Sequence, residues 1–164
     1  MTMSTSPVRR TMLGVLLLVS PWFLVQGWVF TSGPTPDHVT MPECPDNTGN
    51  CAALGEGVVV RMDASLPIVV DASVSSVWAA WEAWQDEEGL RFVSESLTEE
   101  GERFGHSIAI TPFWRFVDDV VVQFEPLDEN RTLIHLYSSS RLGQSDLGVN
   151  PDRLLSLHTA LVAV

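Results

Sequence analysis

Hydrophobic positions divide the chain into one uninterrupted apolar segment and a longer region where apolar and polar residues alternate. Residues 12–30 form the apolar segment and carry no charged side chain. A helix of this length reaches about 28 Å, close to the ~30 Å hydrocarbon core of a bilayer. Arg9 and Arg10 precede it, and basic residues favour the cytoplasmic side. The pattern predicts a single-pass anchor over 12–30 in the inner or cytoplasmic membrane, with residues 1–11 cytoplasmic and the remainder extracytoplasmic.

A cleavable signal peptide is the alternative interpretation of this segment. Val25 and Gly27 are small residues that a signal peptidase could use, although no Ala-x-Ala pattern is present and the apolar run continues to Phe30. We therefore favour the uncleaved anchor. Cleavage would instead leave a secreted domain.

A short region rich in turn-forming residues separates the apolar segment from the folded part. Residues 31–43 contain proline and small polar residues and predict an extended linker, in which His38 receives no role. Cys44 and Cys51 follow, and in an oxidising compartment they are expected to form a disulfide. Two thiols without a nearby histidine pair provide too few ligands for zinc. We expect one domain over 44–164.

The folded region combines strand patterns with two amphipathic helices. β-branched runs at 58–63 and 66–71 each suit a first strand. Helical spacing of apolar residues predicts a helix over about 73–86, and a last helix begins at Asn150, which can cap it, with Pro151 in its first turn. The expected α+β fold is a curved antiparallel sheet of four to five strands packed against two helices. Four further strands, joined by short polar turns, are predicted at 90–97, 103–110, 116–125 and 131–139.

Composition limits the classes of partner. The chain has nine arginines, no lysine and 21 acidic residues, which give a net charge of −12. Binding a polyanion requires a basic surface, so nucleic acid is excluded as a partner. An acidic surface also disfavours anionic lipid headgroups, so we expect a protein or a small polar ligand as partner, besides the membrane contact through 12–30. The sequence has no phosphate-binding loop and no dinucleotide fingerprint, and no cofactor is expected.

Acidic and basic residues in the last third of the chain are the candidates for a buried polar site. Asp118 and Asp119 are adjacent in a predicted strand, so they point to opposite faces and cannot form a catalytic carboxylate dyad. A carboxylate beneath the helices needs a partner, which Arg141 or Arg153 would provide. We predict that one of these aspartates joins both arginines and Asp146 in a network that holds the last loop to the sheet. Alternatively, these groups line a pocket for a small polar or anionic ligand.

Serines and histidines raise the alternative of an extracytoplasmic hydrolase. Ser140 or Ser145 would act as the nucleophile with a histidine such as His135, but the chain has no GxSxG nucleophile elbow. His106, His135 and His158 lie in separate elements without the spacing of a zinc motif, so no metal site is predicted. No catalytic residue is assigned. A non-enzymatic binding or interaction domain is the favoured function.

The loop before the last helix resembles part of a known family. Residues 138–153 read SSSRLGQSDLGVNPDR, similar to the signature RSxSRxGxSDxGxNxxR of the family called domain of unknown function 1499. An Asp-Asp pair in an earlier strand and a Cys-Pro dipeptide followed by Asn-Cys also match. Tyr137 replaces the signature's first arginine, and the cysteine spacing is one residue longer. The resemblance covers residues 44–163 and implies an exported or membrane-anchored α+β domain without an established activity. The candidate residues for ligand binding or a polar network are Asp118, Asp119, Ser140, Arg141, Ser145, Asp146, Asn150 and Arg153.

Overall fold

The computed structural model describes residues 7–32 and 38–164. The first element is a long helix, α1, over Pro7–Ser32. Its stretch Thr11–Thr31 has the length and apolar character of a membrane-crossing helix, properties that an N-terminal signal sequence shares. The helix therefore extends beyond the predicted segment 12–30 at both ends.

The remaining elements form an α+β domain built on a seven-stranded antiparallel sheet. The spatial order of six strands is β2-β1-β7-β6-β5-β4, and β3 also pairs with β7. Two helices cover one face of the sheet. The strands are β1 Cys51–Gly55, β2 Val58–Val60, β3 Val69–Val70, β4 Arg91–Leu97, β5 Arg103–Ile110, β6 Val117–Asp128 and β7 Arg131–Ser140, and the helices are α2 Val74–Glu88 and α3 Val149–Leu161.

The strand count is higher than the predicted four to five. The two β-branched runs were alternatives for one first strand, but each of them forms a short strand. The first run stops early because Arg61 takes a left-handed φ of 55° and ends β2. The segment Cys51–Gly55 has no β-branched residue, yet it forms the fully buried β1 between β2 and β7. Burial within the sheet therefore outweighs the weak strand propensity of this segment.

The main hydrophobic core lies between the sheet and the two helices. Trp81 of α2 and Leu157 of α3 are fully buried there against alternate residues of β6 and β7. Trp81 lies directly on Gly105 of β5, where a Cβ atom would come within 2.3 Å of the indole ring. The absence of a side chain at Gly105 therefore allows α2 to approach the sheet closely.

The opposite face of the sheet is covered by the chain segment that follows α1. Met41 and Cys44 pack against a smaller buried cluster that includes Val121 and Tyr137. A disulfide joins Cys44 to Cys51, with an S–S distance of 2.06 Å.

The structure describes only part of the segment 31–43, which was predicted as an extended linker. Thr31 and Ser32 belong to α1, residues 38–43 lie over the domain, and residues 33–37 are outside the described part of the chain. The second sheet face carries apolar side chains, and residues 38–44 remove them from water.

Candidate functional site

Asp118 and Asp119 lie side by side in β6 and point to opposite faces of the sheet, as strand alternation requires. Both residues are buried: Asp118 is 3% exposed and Asp119 is 4% exposed. Buried carboxylates need charged or hydrogen-bonding partners. The two aspartates find different partners, so the single predicted network is divided between the two faces.

On the helix-covered face, Asp118 pairs with α3. Arg153 donates from Nη2 to Oδ2 of Asp118 over 2.9 Å. Its Nη1 atom donates to Oγ of Ser138 and to Oδ1 of Asn150. Arg153 is placed for these contacts because it lies in the first turns of α3, directly above the end of β7. The pair joins α3 to β6.

Asn150 occupies the centre of this helix-side cluster. The sequence had suggested that Asn150 caps α3, but it does not. Its Oδ1 atom accepts hydrogen bonds from Ser138 and Arg153, and its Nδ2 atom donates to the Asn50 carbonyl and to Oγ of Ser140. The side chain is fully buried, so it is turned away from the helix terminus. The N-cap position is Gly148, which has no side chain to accept a hydrogen bond.

The capping function falls to Asp146. Its carboxylate accepts hydrogen bonds from the backbone N–H groups of Gly148 and Asn150, at 2.9 and 3.2 Å. Arg61 also donates to both carboxylate oxygens, at 2.7 and 2.9 Å. Burial alone would raise the pKa of Asp146, but these donors outweigh it and lower the pKa to about 2. Asp146 therefore stays charged and fixes the loop before α3 at neutral pH.

Arg61 is the functional partner that sequence reasoning missed. It lies within the β-branched run 58–63 and has no local pattern that connects it to Asp146, which lies 85 residues away. Its guanidinium also donates to the carbonyls of Gly49 and Cys51. Arg61 thus links β1, the segment before β1 and the loop before α3. The prediction that Asp146 joins Arg141 and Arg153 is corrected accordingly.

On the second face, Asp119 forms a compact cluster with Arg141 and His106. Arg141 donates to both carboxylate oxygens, at 2.7 and 2.9 Å, and Nε2 of His106 lies 2.7 Å from Oδ1. Burial would raise the pKa of Asp119, but the hydrogen bonds from Arg141 and His106 outweigh it and lower the pKa. The side chain of Arg141 is only 7% exposed. Arg141 therefore points into a closed cluster.

His38 completes this cluster, although no role was predicted for it. Its ring packs edge-on against His106, with 4.9 Å between the ring centroids. His38, His106 and Asp119 bring potential metal-ligand atoms within 4.8 Å of one another. However, Arg141 engages both oxygens of Asp119, and Nε2 of His106 is bonded to the same carboxylate. Nδ1 of His106 has no hydrogen-bond partner among the described residues. The Asp119 carboxylate is therefore already held by an ion pair and a hydrogen bond from protein groups, as a buried carboxylate requires.

A cleft lies where the loop between β7 and α3 meets the C-terminal part of α1. Its volume is about 340 Å³, which falls within the ~300–1,000 Å³ range of small-molecule sites. Trp28 of α1 forms part of one wall and packs edge-on against Phe116, with 6.4 Å between ring centroids. Further walls are aliphatic. The candidate residues that line the cleft are Asp118, Ser140, Ser145 and Asp146.

The candidate serines have no histidine beside them. Ser140 faces the helix-covered side, where its Oγ accepts from Asn150, whereas His106 and His38 lie on the opposite face. Ser145 is exposed in the loop, and its Oγ accepts a long hydrogen bond from the Leu147 N–H group. The other two histidines are engaged elsewhere, one with Glu125 and one with the Pro67 carbonyl. These contacts supply no base for a serine nucleophile.

Comparison with known proteins places the domain in a family. No match to the chain was found among curated proteins. The model of one protein family matches residues 42–161, which is well over half of the chain and includes every strand, both domain helices and all eight candidate residues. The chain therefore belongs to the family described as "Protein of unknown function (DUF1499)".

Proposed function

We propose that this chain is a membrane-tethered extracytoplasmic binding domain, and that the cleft beside α1 binds a neutral amphiphile. The observation that carries the proposal is the composition of the cleft. Most of its accessible wall is aromatic and aliphatic, and five polar side chains interrupt it. An apolar cleft with a few convergent polar groups is the usual form of a small-molecule site.

The position of the cleft supports a ligand that comes from the membrane. Trp28 belongs to the stretch Thr11–Thr31 that is long and apolar enough to cross a bilayer. A ligand in the cleft would therefore contact the anchor and the domain together. Arg9 and Arg10 precede the apolar stretch Thr11–Thr31 of α1 and favour a cytoplasmic N-terminus. The Cys44–Cys51 disulfide is consistent with an oxidising compartment for the domain.

The charges around the cleft favour a ligand without net negative charge. Asp118 and Asp146 line it, and each carboxylate is matched by an arginine, Arg153 and Arg61 respectively, that lies outside the lining. An anionic headgroup would meet two carboxylates and no exposed cation in the lining. Hydroxyl groups are better suited, because carboxylate oxygens and Ser140 accept hydrogen bonds from them. A diacylglycerol-like or glycolipid-like molecule has this combination of apolar body and uncharged polar head.

Photo-cross-linking tests the proposal. The full chain is reconstituted in phosphatidylcholine vesicles that contain a photoactivatable diacylglycerol analogue, and labelled peptides are identified by mass spectrometry. Val149→Trp would fill the cleft, because Val149 is a lining residue and is 46% exposed at the start of α3. We expect labelling of cleft peptides to fall about tenfold in this variant, equivalent to about 1.4 kcal/mol of binding free energy.

Leu155→Trp is the matched control. Leu155 is 47% exposed on the same helix and does not line the cleft, so this variant should be labelled like the unmodified chain. Equal labelling of all three proteins, or labelling confined to α1, would overturn the cleft as the binding site.

A further inference from the structure

We infer that the loop between β5 and β6, residues 111–116, is a second membrane contact that lies in the outer leaflet alongside α1. The inference rests on the membrane tether in the proposed function and adds a surface through which the domain itself meets lipid. The loop reads TPFWRF. It lies next to α1, and its position follows from the residues of α1 that it contacts.

The domain packs along the last part of α1 and not at its tip. Residues 11–21 of the helix are exposed throughout, whereas Trp22, Val25, Gln26 and Val29 are partly buried. Their spacing of three and four residues marks one face of the helix. This face lies within the stretch Thr11–Thr31. A helix that crosses the bilayer over this stretch therefore brings the attached loop into the membrane.

Two hydrogen bonds fix the depth of the loop. Nε1 of Trp22 donates to the Phe113 carbonyl over 3.0 Å, and Nε2 of Gln26 donates to the Trp114 carbonyl over 2.9 Å. Trp22 precedes Thr31 by nine residues, which corresponds to about 14 Å along a helix. The loop therefore extends from the membrane surface well into the outer half of the bilayer.

The same hydrogen bonds satisfy a chemical requirement of lipid surroundings. An irregular loop has backbone carbonyls without partners, and each one is costly to expose to hydrocarbon. Here the carbonyls of Phe113 and Trp114 each accept a hydrogen bond from a side chain of α1. Gln26, a polar residue in an apolar helix, is in turn satisfied by the loop. The pairing is thus suited to a membrane and would be unnecessary in water, where solvent can bond to exposed carbonyls.

The side chains of the loop fit an interfacial position. Phe113 is 64% exposed and Trp114 is 39% exposed, which is unfavourable in water but favourable among acyl chains. Arg115 is also exposed, and its long side chain can extend towards lipid phosphates. Leu147, at the same end of the domain, is 95% exposed. Zwitterionic lipid suits this surface better than anionic lipid, because the chain carries a net charge of −12.

Depth-dependent fluorescence quenching tests the inference on the full chain. Single cysteines are introduced as Phe113→Cys, Leu17→Cys and Leu127→Cys, labelled with bimane under non-reducing conditions, and reconstituted in phosphatidylcholine vesicles with spin-labelled acyl chains. Leu17 lies within the stretch Thr11–Thr31. Leu127 is 47% exposed near the far end of β6, about 33 Å from the loop along the strand. We expect quenching at Phe113 to approach that at Leu17 and to exceed that at Leu127 several-fold.

Quenching at the three labelled positions shows whether the loop insertion alone is wrong or the membrane tether is wrong as well. Quenching at Leu17 without quenching at Phe113 would overturn the loop insertion and leave the tether standing. Absence of quenching at both positions would overturn the tether and the loop insertion together. Equal quenching at Phe113 and Leu127 would show non-specific adsorption and would also overturn the inference.

Discussion

Asp118 and Asp119 are neighbours with similar burial, and each is bonded to an arginine, but their surroundings differ in one important respect. Asp118 lines the cleft beside α1, whereas Asp119 lies on the face covered by residues 38–44. Asp118 contacts Arg153 from α3, whereas Asp119 contacts His106 of β5 and Arg141, the first residue after β7. One carboxylate is next to a space that a ligand or water can enter, and the other is enclosed by protein.

This difference divides the candidate residues into two groups. One group stabilises the fold, and the other lines the cleft in which we propose that a ligand binds. Asp119, Arg141 and His106 form a buried cluster that lies away from the cleft. Asp118, Ser140 and Asp146 stand at the surface of the cleft. Residue type and spacing alone would place all of these residues in one site. The sheet assigns them to two sites, because adjacent residues of a strand face opposite directions.

The largest loss of stability is expected when the buried contact between Arg141 and Asp119 is removed. Arg141→Ala leaves Asp119 buried without its guanidinium partner, and we expect a loss of about 3–5 kcal/mol in the free energy of unfolding. Chemical denaturation of the full chain in detergent, followed by circular dichroism, measures the change. Arg131→Ala is the control. Arg131 pairs with Asp128 at the surface, with side chains 54% and 44% exposed, and its removal should cost under about 1 kcal/mol. Equal losses in the two variants would refute the enclosed character of the Asp119 cluster.

A smaller effect is expected on the cleft side. Arg153→Ala removes the partner of Asp118, but water in the cleft can then solvate the carboxylate, so we expect a loss of about 2 kcal/mol. The same denaturation measurement applies. If this variant is destabilised as strongly as Arg141→Ala, water does not reach Asp118, and the comparison between the two faces fails.

The smallest effect should come from the Asp146 clamp, and it should depend on pH. Arg61→Ala removes a pair in which the arginine side chain is 30% exposed and the Asp146 side chain is 1% exposed. Because the backbone N–H groups of Gly148 and Asn150 still donate to the carboxylate, we expect a loss of only about 1 kcal/mol at neutral pH. The folded pKa of Asp146 is about 2, below its ordinary value of 3.8. Its ion pair therefore contributes fully above about pH 4 and is lost as the pH falls towards 2.

The difference in unfolding free energy between Arg61→Ala and the unmodified chain should accordingly shrink from pH 4 to pH 2. Glu99→Gln changes an exposed carboxylate and serves as the control at each pH. A difference that stays constant over this range would show that Arg61 acts through its carbonyl contacts and not through Asp146.

Local patterns predicted much of this fold. The α+β class, the antiparallel sheet and the two covering helices follow from periodicity and short turns, because these signals depend on residues close in sequence. The Cys44–Cys51 disulfide was also predicted from two cysteines around a turn. The orientation of Asp118 and Asp119 required only the alternation of side chains along a strand.

The remaining features depend on contacts between distant residues. Nothing near Arg61 indicates that it bonds to Asp146, and nothing near His38 indicates that it packs on His106. Trp28 lies in the apolar segment 12–30, but its place in a cleft wall depends on how α1 meets the domain. Each of these partners is chosen by tertiary packing, which sequence periodicity does not encode.

The close approach of Trp81 to Gly105 has a consequence for how the molecule tolerates change. The approach of α2 to the sheet is limited at this point, since any larger residue at position 105 would collide with the indole of Trp81. Relief would require α2 to tilt or withdraw as a rigid body, and Gln85, further along the same helix, would lose its hydrogen bond to Ser107. A single methyl group at position 105 would thus disturb the contacts of α2 with the sheet from Trp81 to Gln85.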